Sequence, residues 1–326
     1  MNKIFICYTP YHFLLSYLFK YRETEDLIIL IDQYNNLEKW EFSLNKEEGV
    51  SYIKHSDAKS IFKLKSRITS IIKTYSPSNE LEVYVFNDRT IDTWIALSCI
   101  NKKIVHYIED GSSAYSNSII RGPKFKRLML VAISKLPFTS YEYIEVLGTS
   151  STIVSGYYLY PEHVRKENTL KPALQYQIST SHIENLKKFL IALSDFNQHS
   201  AIEVLALLPS TREQSFFNTF KSAVENLAKN KALIYKKHPI DNNNFQTQAS
   251  NHKELPSHYP AEALLFTGSP DIVIGNFTTT LYATRFFAGR CKCINVHTMH
   301  SRKANEVFYE FLSSIGVHHQ EIADPS

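Results

Sequence analysis

Short apolar runs separated by amphipathic stretches set the pattern of this chain. Ile4–Cys7, Asp26–Ile31, Glu82–Phe86 and Ile104–Ile108 are each long enough for one buried strand and too short for a buried helix. Between them, Tyr11–Lys20, Ala58–Tyr75 and Thr90–Cys99 carry apolar residues at helical spacing; in the second these are Ile61, Phe62, Leu64, Ile68, Ile71 and Ile72. Strands alternating with helices predict parallel pairing through right-handed crossovers. Glu142–Val146 reads as one more strand of this half. The stretch from Pro161 to about Gln177 is polar and irregular, and after it the pattern restarts. Helix Ile183–Leu193, strand Ala201–Leu208, helix Glu213–Ala228 and strand Ala232–Tyr235 come first. A loop at Asn242–Gln248, a short helix Ala261–Phe266, strand Asp271–Ile274, helix Thr279–Phe287, strand Cys291–Val296 and helix Asn305–Ser314 follow. A chain of 326 residues has room for two ordinary domains. The expectation is two Rossmann-like α/β domains, residues 1–170 and 171–326, facing each other across a central cleft.

Composition removes several alternatives. Only 9 glycines occur, and neither G-x-G-x-x-G nor G-x-x-x-x-G-K-[ST] is present, which argues against a Gly-rich nucleotide loop. A net charge of +4 with scattered basic residues argues against nucleic acid as a partner. The densest basic group, Arg121, Lys124, Lys126 and Arg127, precedes the apolar Leu128–Ile133, a pattern read first as an ordinary solvated helix and second as a helix resting on anionic lipid. No run reaches the roughly 18 apolar residues of a membrane span. Tyr8–His12 breaks the apolar N-terminal run, so strand, turn and helix fit better than a signal peptide. Cys7 and Cys99 lie in apolar runs, and Cys291 and Cys293 lack a second ligand pair, so neither a zinc site nor a disulfide framework is expected. These features predict a cytoplasmic protein, with peripheral contact at the inner face of the membrane as an option.

Three polar motifs stand where strands should end, the edge at which open α/β sheets bind ligands. Glu109-Asp110-Gly111 follows Ile104–Ile108. Gly111 supplies backbone freedom for a tight turn. Asp110 is placed to accept the Ser112 or Ser113 N–H in an Asx-turn, which leaves Glu109 as the freer carboxylate to deprotonate a hydroxyl; the pair as a whole is the candidate base. Lys236-Lys237-His238-Pro239 follows a second strand. Pro239 biases His238 to an extended backbone, and its imidazole can serve a leaving phosphate, with Lys237 beside it. Thr278, Thr279 and Thr280 stand between a strand and a helix, where N–H groups and hydroxyls bind phosphate or simply cap the helix. Glu262 suits ribose hydroxyls or the helix dipole. Thr9, Pro10, His12 and Asn87 end N-terminal strands on the acceptor side, and Ser210 ends Ala201–Leu208. No Asp-x-Asp occurs, so neither a metal nor a resident cofactor is expected.

Taken in order, Cys7–Leu15, Glu109-Asp110-Gly111, His238-Pro239, Pro260-Ala261-Glu262 and Thr278-Thr279 resemble bacterial sialyltransferases of the GT-B type. The likeness is to the lipooligosaccharide sialyltransferase and polysialyltransferase families, with their D/E-D/E-G, HP and S/T-S/T motifs. It spans roughly residues 1 to 290 as scattered motifs. The resemblance implies a CMP-activated sialic acid or related nonulosonic acid as donor and a hydroxyl of a surface glycan, lipooligosaccharide or capsule, as acceptor. It implies inversion at the anomeric centre without a metal. Glu109 with Asp110 would supply the base, His238 would assist the departing phosphate, Thr278 and Thr279 would bind that phosphate, and Glu262 would hold the cytidine. A transferase for Kdo or a hexose, or a non-catalytic glycan-binding or assembly protein on the same fold, are the alternatives.

Overall fold

The structure is a computed structural model that describes residues 2–20, 26–33, 37, 40–44, 47–75, 80–116, 128–129, 131–132, 134, 142–193, 202–209, 214–237, 252–255 and 259–324. The chain divides into two compact units. The first carries strands β1 (Lys3–Cys7), β2 (Leu27–Ile31), β3 (Val50–Ile53), β4 (Leu81–Val85), β5 (Lys103–Ile108), β6 (Ile153–Tyr158) and β7 (Ala173–Gln175). They form one sheet in the order β3-β2-β1-β4-β5-β6-β7, with every pair parallel. Its helices include α1 (Pro10–Lys20), α2 (Glu41–Leu44), α3 (His55–Ala58), α4 (Ile61–Tyr75) and α5 (Ile91–Ser98). β1 and β2 are buried at every position, as strands covered on both faces must be.

In the second unit β8 (Val204–Leu207), β9 (Leu233–Lys236), β10 (His252–Glu254), β11 (Ile272–Gly275), β12 (Lys292–His297) and β13 (His318–Glu321) form a sheet in the order β10-β9-β8-β11-β12-β13. Again every pair is parallel. α6 (Thr180–Leu193) spans the division between units; α7 (Gln214–Leu227), α8 (Ala263–Thr267), α9 (Thr279–Phe287), α10 (Met299–Ala304) and α11 (Glu306–Ser314) follow. The core on one face of this sheet joins Val204, Ala206, Ile274 and Val296 to Phe216, Phe217, Phe220 and Val224 of α7. Both sheets reverse their strand order once, between β1 and β4 and between β8 and β11. Such switch points open crevices beyond the carboxyl ends of the strands.

The expected α/β alternation holds, with differences of detail. The division falls at 186/187 instead of 170/171: β7 extends the first sheet to Gln175, and the start of α6 groups with the first unit; Tyr115 and Ser116 group with the second unit. Glu142–Val146 is not a strand. The Arg89 guanidinium takes the carbonyls of Ile144 and Glu145, so they are satisfied without a ladder. β3, β6, β7, β10 and β13 were not anticipated. Phe62, expected on the buried stripe of α4, is exposed, whereas Leu64, Ile68 and Ile72 are buried. Arg121, Lys124, Lys126, Arg127 and the Asn242–Gln248 loop lie outside the described residues. Among the described residues no helix is long and apolar enough to cross a membrane.

Candidate active site

The first candidate site is assembled at the switch point of the first sheet, from the ends of β1, β4 and β5. The chain leaves β1 through Thr9, whose hydroxyl accepts the His12 N–H at 3.2 Å. Thr9 thereby caps α1, and Pro10 occupies its first helical position, where a missing N–H costs nothing. The cap turns His12 back over the strand ends. Its buried ring lies flat on Phe86, 4.3 Å between centroids and 7° from parallel. Nδ1 accepts the Tyr8 N–H at 3.3 Å, which leaves the proton on Nε2. Nε2 donates to Asp110 Oδ1 at 2.9 Å. Asn87, beyond β4, donates its amide to Asp110 Oδ2 at 3.4 Å, and its own oxygen accepts the Arg89 N–H.

The acidic turn divides its two carboxylates differently from the expected arrangement. Gly111 has φ +65°, the left-handed conformation for which glycine was anticipated. Asp110 is not tied to the N–H groups of Ser112 or Ser113 in the bonds described: its carboxylate is 27% exposed and held by His12 and Asn87. Its backbone carries the turn instead, the N–H donating to the Tyr107 hydroxyl and the carbonyl accepting from Ser113. Glu109, expected to be the freer of the two, is fully buried, and its Oε2 accepts the Leu159 N–H at 2.9 Å. Side chains alternate along an extended chain, so when one residue of the pair faces solvent the other faces the interior. Asp88, on the turn after β4, accepts the N–H groups of Gly148 and Ser150; burial pushes its carboxyl up to about 6, with those two bonds opposing.

The second candidate site lies at the switch point of the second sheet, after β11. Gly275 ends the strand. A Cβ there would meet Thr278 Cγ2 at 2.5 Å, so glycine lets Thr278 fold back against the strand end. Phe277 has φ +44°, unusual for a bulky residue and costing on the order of 1–3 kcal/mol. Two bonds hold it: the Phe277 N–H donates to Asn295 Oδ1, and the Asn276 amide donates to the Val296 carbonyl, both at 2.8 Å. Asn295 is fully buried on β12. Its amide donates to His319 Nδ1, and His319 Nε2 reaches the Ser313 hydroxyl. Burial first, and then the charges of His297, Arg302 and His318, push His319 down to about 4, so it is a neutral acceptor at neutral pH.

This turn presents Thr278 at the N-cap of α9, where its side chain makes no capping bond, and Thr279 beside it; both are half-buried. Thr280 is buried and donates to Glu262 Oε1 at 2.6 Å. The triplet thus separates into two hydroxyls at the helix mouth and one committed inward. Burial pushes the Glu262 carboxyl up, opposed by the Thr280 bond and by Lys236. Lys236, buried at the end of β9, is pushed down to about 8 by burial, with Glu262 and Glu254 opposing. Lys237 points elsewhere, into an ion pair with Glu254 at 3.0 Å. Ser210, His238 and Pro239 lie outside the described residues. Among the described residues no group of His, Cys, Asp and Glu is arranged to hold a metal.

Asn295 and the tautomer-fixing Tyr8 N–H were missed from sequence. An asparagine inside an apolar strand run was a usable signal, since a buried amide must find partners.

No protein-family model matches the chain, and no curated protein matches it in sequence. Solved structures do. The GT-B domain of a sialyltransferase from Photobacterium damselae superposes with a TM-score of 0.54 at 12% identity, covering 99% of this chain and 100% of that one. The fold is of the GT-B type. A Photobacterium sp. 2,6-sialyltransferase, in a ternary complex with CMP and lactose, gives 0.53 at 14% identity over 98% of this chain and 78% of its own. A further Photobacterium damsela sialyltransferase gives 0.50 at 10% over 98% and 81%. GT-B is a fold of glycosyltransferases, and these neighbours establish the fold alone.

Proposed function

We propose that this chain is an inverting, metal-independent glycosyltransferase that moves a nonulosonic acid from a CMP-activated donor to a glycan hydroxyl. The observation that carries the reading is Asp110, a partly exposed carboxylate at a switch point, oriented by a histidine whose tautomer is fixed by a backbone N–H. It is the arrangement a general base needs: one oxygen oriented, the other side open to a substrate proton. As the anomeric C–O bond to CMP breaks, the acceptor oxygen bonds to the anomeric carbon and its proton passes to Asp110. CMP departs with both electrons of the broken bond. Thr278 and Thr279 donate to its phosphate at the positive end of α9. In this reading Glu262 serves the cytidine, Lys236 offsets the charge of the anionic donor, and His238 assists the leaving phosphate. The absence of Asp-x-Asp fits a donor with a single phosphate, and the neighbour with CMP bound supports the same donor class. Glu109 is assigned to anchoring Leu159 instead of to proton transfer.

Thermal shift with nucleotides tests the donor, because a ligand selective for the native state stabilises it by mass action. CMP is expected to raise Tm more than UDP does. Equal or greater stabilisation by UDP overturns the donor assignment. Turnover of CMP-sialic acid is expected to survive EDTA; loss on chelation, restored by magnesium or manganese, overturns the metal-free mechanism.

A further inference from the structure

The outer face of α4 joins cations to an exposed aromatic ring. Its inner face, Leu64, Ile68 and Ile72, is buried as an amphipathic helix requires. The helix also carries Lys63, Lys65, Arg67 and Lys73 and no acidic residue, with Lys59 just before it. All five of these cations are exposed. Asp57, on the preceding α3, pairs with Arg67 at 3.2 Å. At the start of the helix Phe62 is 87% exposed and Ile61 is 56% exposed. Phe62, Lys65, Ser66, Thr69, Ser70 and Lys73 line one shallow, open surface. Most of this face is small or cationic, so nothing on the helix itself accounts for so large an aromatic ring held in water.

We propose that this face docks on an anionic lipid surface, with Phe62 inserted among the acyl chains and the lysines at the level of the lipid phosphates. Charge alone would fit any polyanion. The aromatic at the end of the cationic face favours a lipid, because a bilayer offers negative headgroups and an apolar layer within one side-chain length. The placement has a direction. β3 runs into α3 and α4 at the carboxyl edge of the first sheet, the edge that carries Asp110, so α4 begins beside that edge. Insertion of Phe62 brings this edge to the membrane surface. If the functional reading holds, the acceptor hydroxyl is then one carried on a membrane lipid. Docking itself does not require that reading.

Co-sedimentation of the full chain with vesicles tests the proposal. Vesicles of phosphatidylcholine containing about one-third phosphatidylglycerol should bind the protein, and phosphatidylcholine alone should not. Changing Lys63, Lys65 and Lys73 together to serine should weaken binding on the order of 100-fold, roughly fivefold per cation. Phe62→Ser should weaken it roughly tenfold. All of these residues are exposed, so the variants should melt with the wild type. Failure to bind anionic vesicles, equal binding to neutral ones, or unchanged binding by the triple variant overturns the proposal. So does wild-type affinity for heparin, lost in the triple variant, without vesicle binding, which would assign the face to a soluble polyanion. Vesicle binding by a protein that turns over no CMP-sugar would support docking and remove the functional reading, so the two fail separately.

Discussion

The two candidate sites sit at equivalent places, the switch points of two parallel sheets, and are built on different plans. At the first, side chains from neighbouring strand ends converge on one carboxylate: His12 and Asn87 both donate to Asp110. At the second, the exposed groups are left open and the backbone beneath them is held: Asn295 fixes the Phe277 turn, which presents Thr278 and Thr279. Under the proposed function the two plans would suit different chemistry. A base needs one atom pair aimed within a hydrogen-bond length. A phosphate needs several donors spaced together, which a rigid turn ahead of a helix supplies. Substitutions in the first plan should therefore act on turnover, and those in the second on donor affinity.

The largest expected effect is that of Asp110→Asn, which should lower turnover by roughly 10²–10⁴-fold with nucleotide affinity nearly unchanged. Glu109→Gln keeps an oxygen for the Leu159 N–H and should retain near-normal turnover. If Glu109→Gln proves the more damaging in steady-state kinetics, the two carboxylates exchange roles.

Next in size, His12→Phe keeps a flat ring over Phe86 but removes the Nε2–H. Loss of such an orienting partner should cost roughly 10–100-fold in kcat, as seen for groups that position catalytic ligands. A change confined to nucleotide affinity, measured by titration, would move His12 out of this network.

Asn295→Leu should reverse that pattern. Stranding the Phe277 N–H costs about 1–3 kcal/mol, so CMP affinity should fall roughly 5–100-fold while kcat at saturating donor changes less. A large kcat loss at unaltered affinity would break the contrast between the two edges.

The smallest effect concerns Asp88. Its folded-state carboxyl is raised to about 6, above the unfolded value near 4, so the native state binds the proton more tightly than the unfolded chain. The stability linked to that proton is fully present below about pH 4 and is lost as pH rises through about 6, on the order of 3 kcal/mol at most. Asp88→Asn should flatten the dependence of Tm on pH between about 4 and 6. An unchanged slope would place the titrating group elsewhere.

Much of this architecture is legible in the sequence, for reasons that residues make plain. The runs Ile4–Cys7 and Leu27–Ile31 belong to strands buried on both faces, and their short, unbroken apolar pattern is what a covered parallel strand requires. The turn at Gly111 was readable because its φ is one that glycine adopts without strain. β7 and β10 were not readable: each has three residues, several half-buried or exposed, and each exists because a longer neighbour offers an edge. The division of labour within Glu109-Asp110 was equally hidden. It depends on which of two adjacent side chains faces inward, and the partners that decide this, Leu159 and His12, are remote in sequence. Phe62 misled because periodicity marks which residues are apolar and not which are covered.

The strand order has a consequence for how the protein is made. β1 lies inside its sheet, between β2 and β4, and Lys3 pairs with Glu82 on the far side from β2. At translation rates of about 5–20 residues per second, the roughly 80 residues between those partners take about 4–16 s to synthesise. Throughout that interval an apolar strand has one flank unsatisfied, long enough for a chaperone or a second nascent chain to reach it. Slow codons placed between β2 and β4 would lengthen that exposure, so the yield of this fold in a foreign host should depend on the pace of that segment.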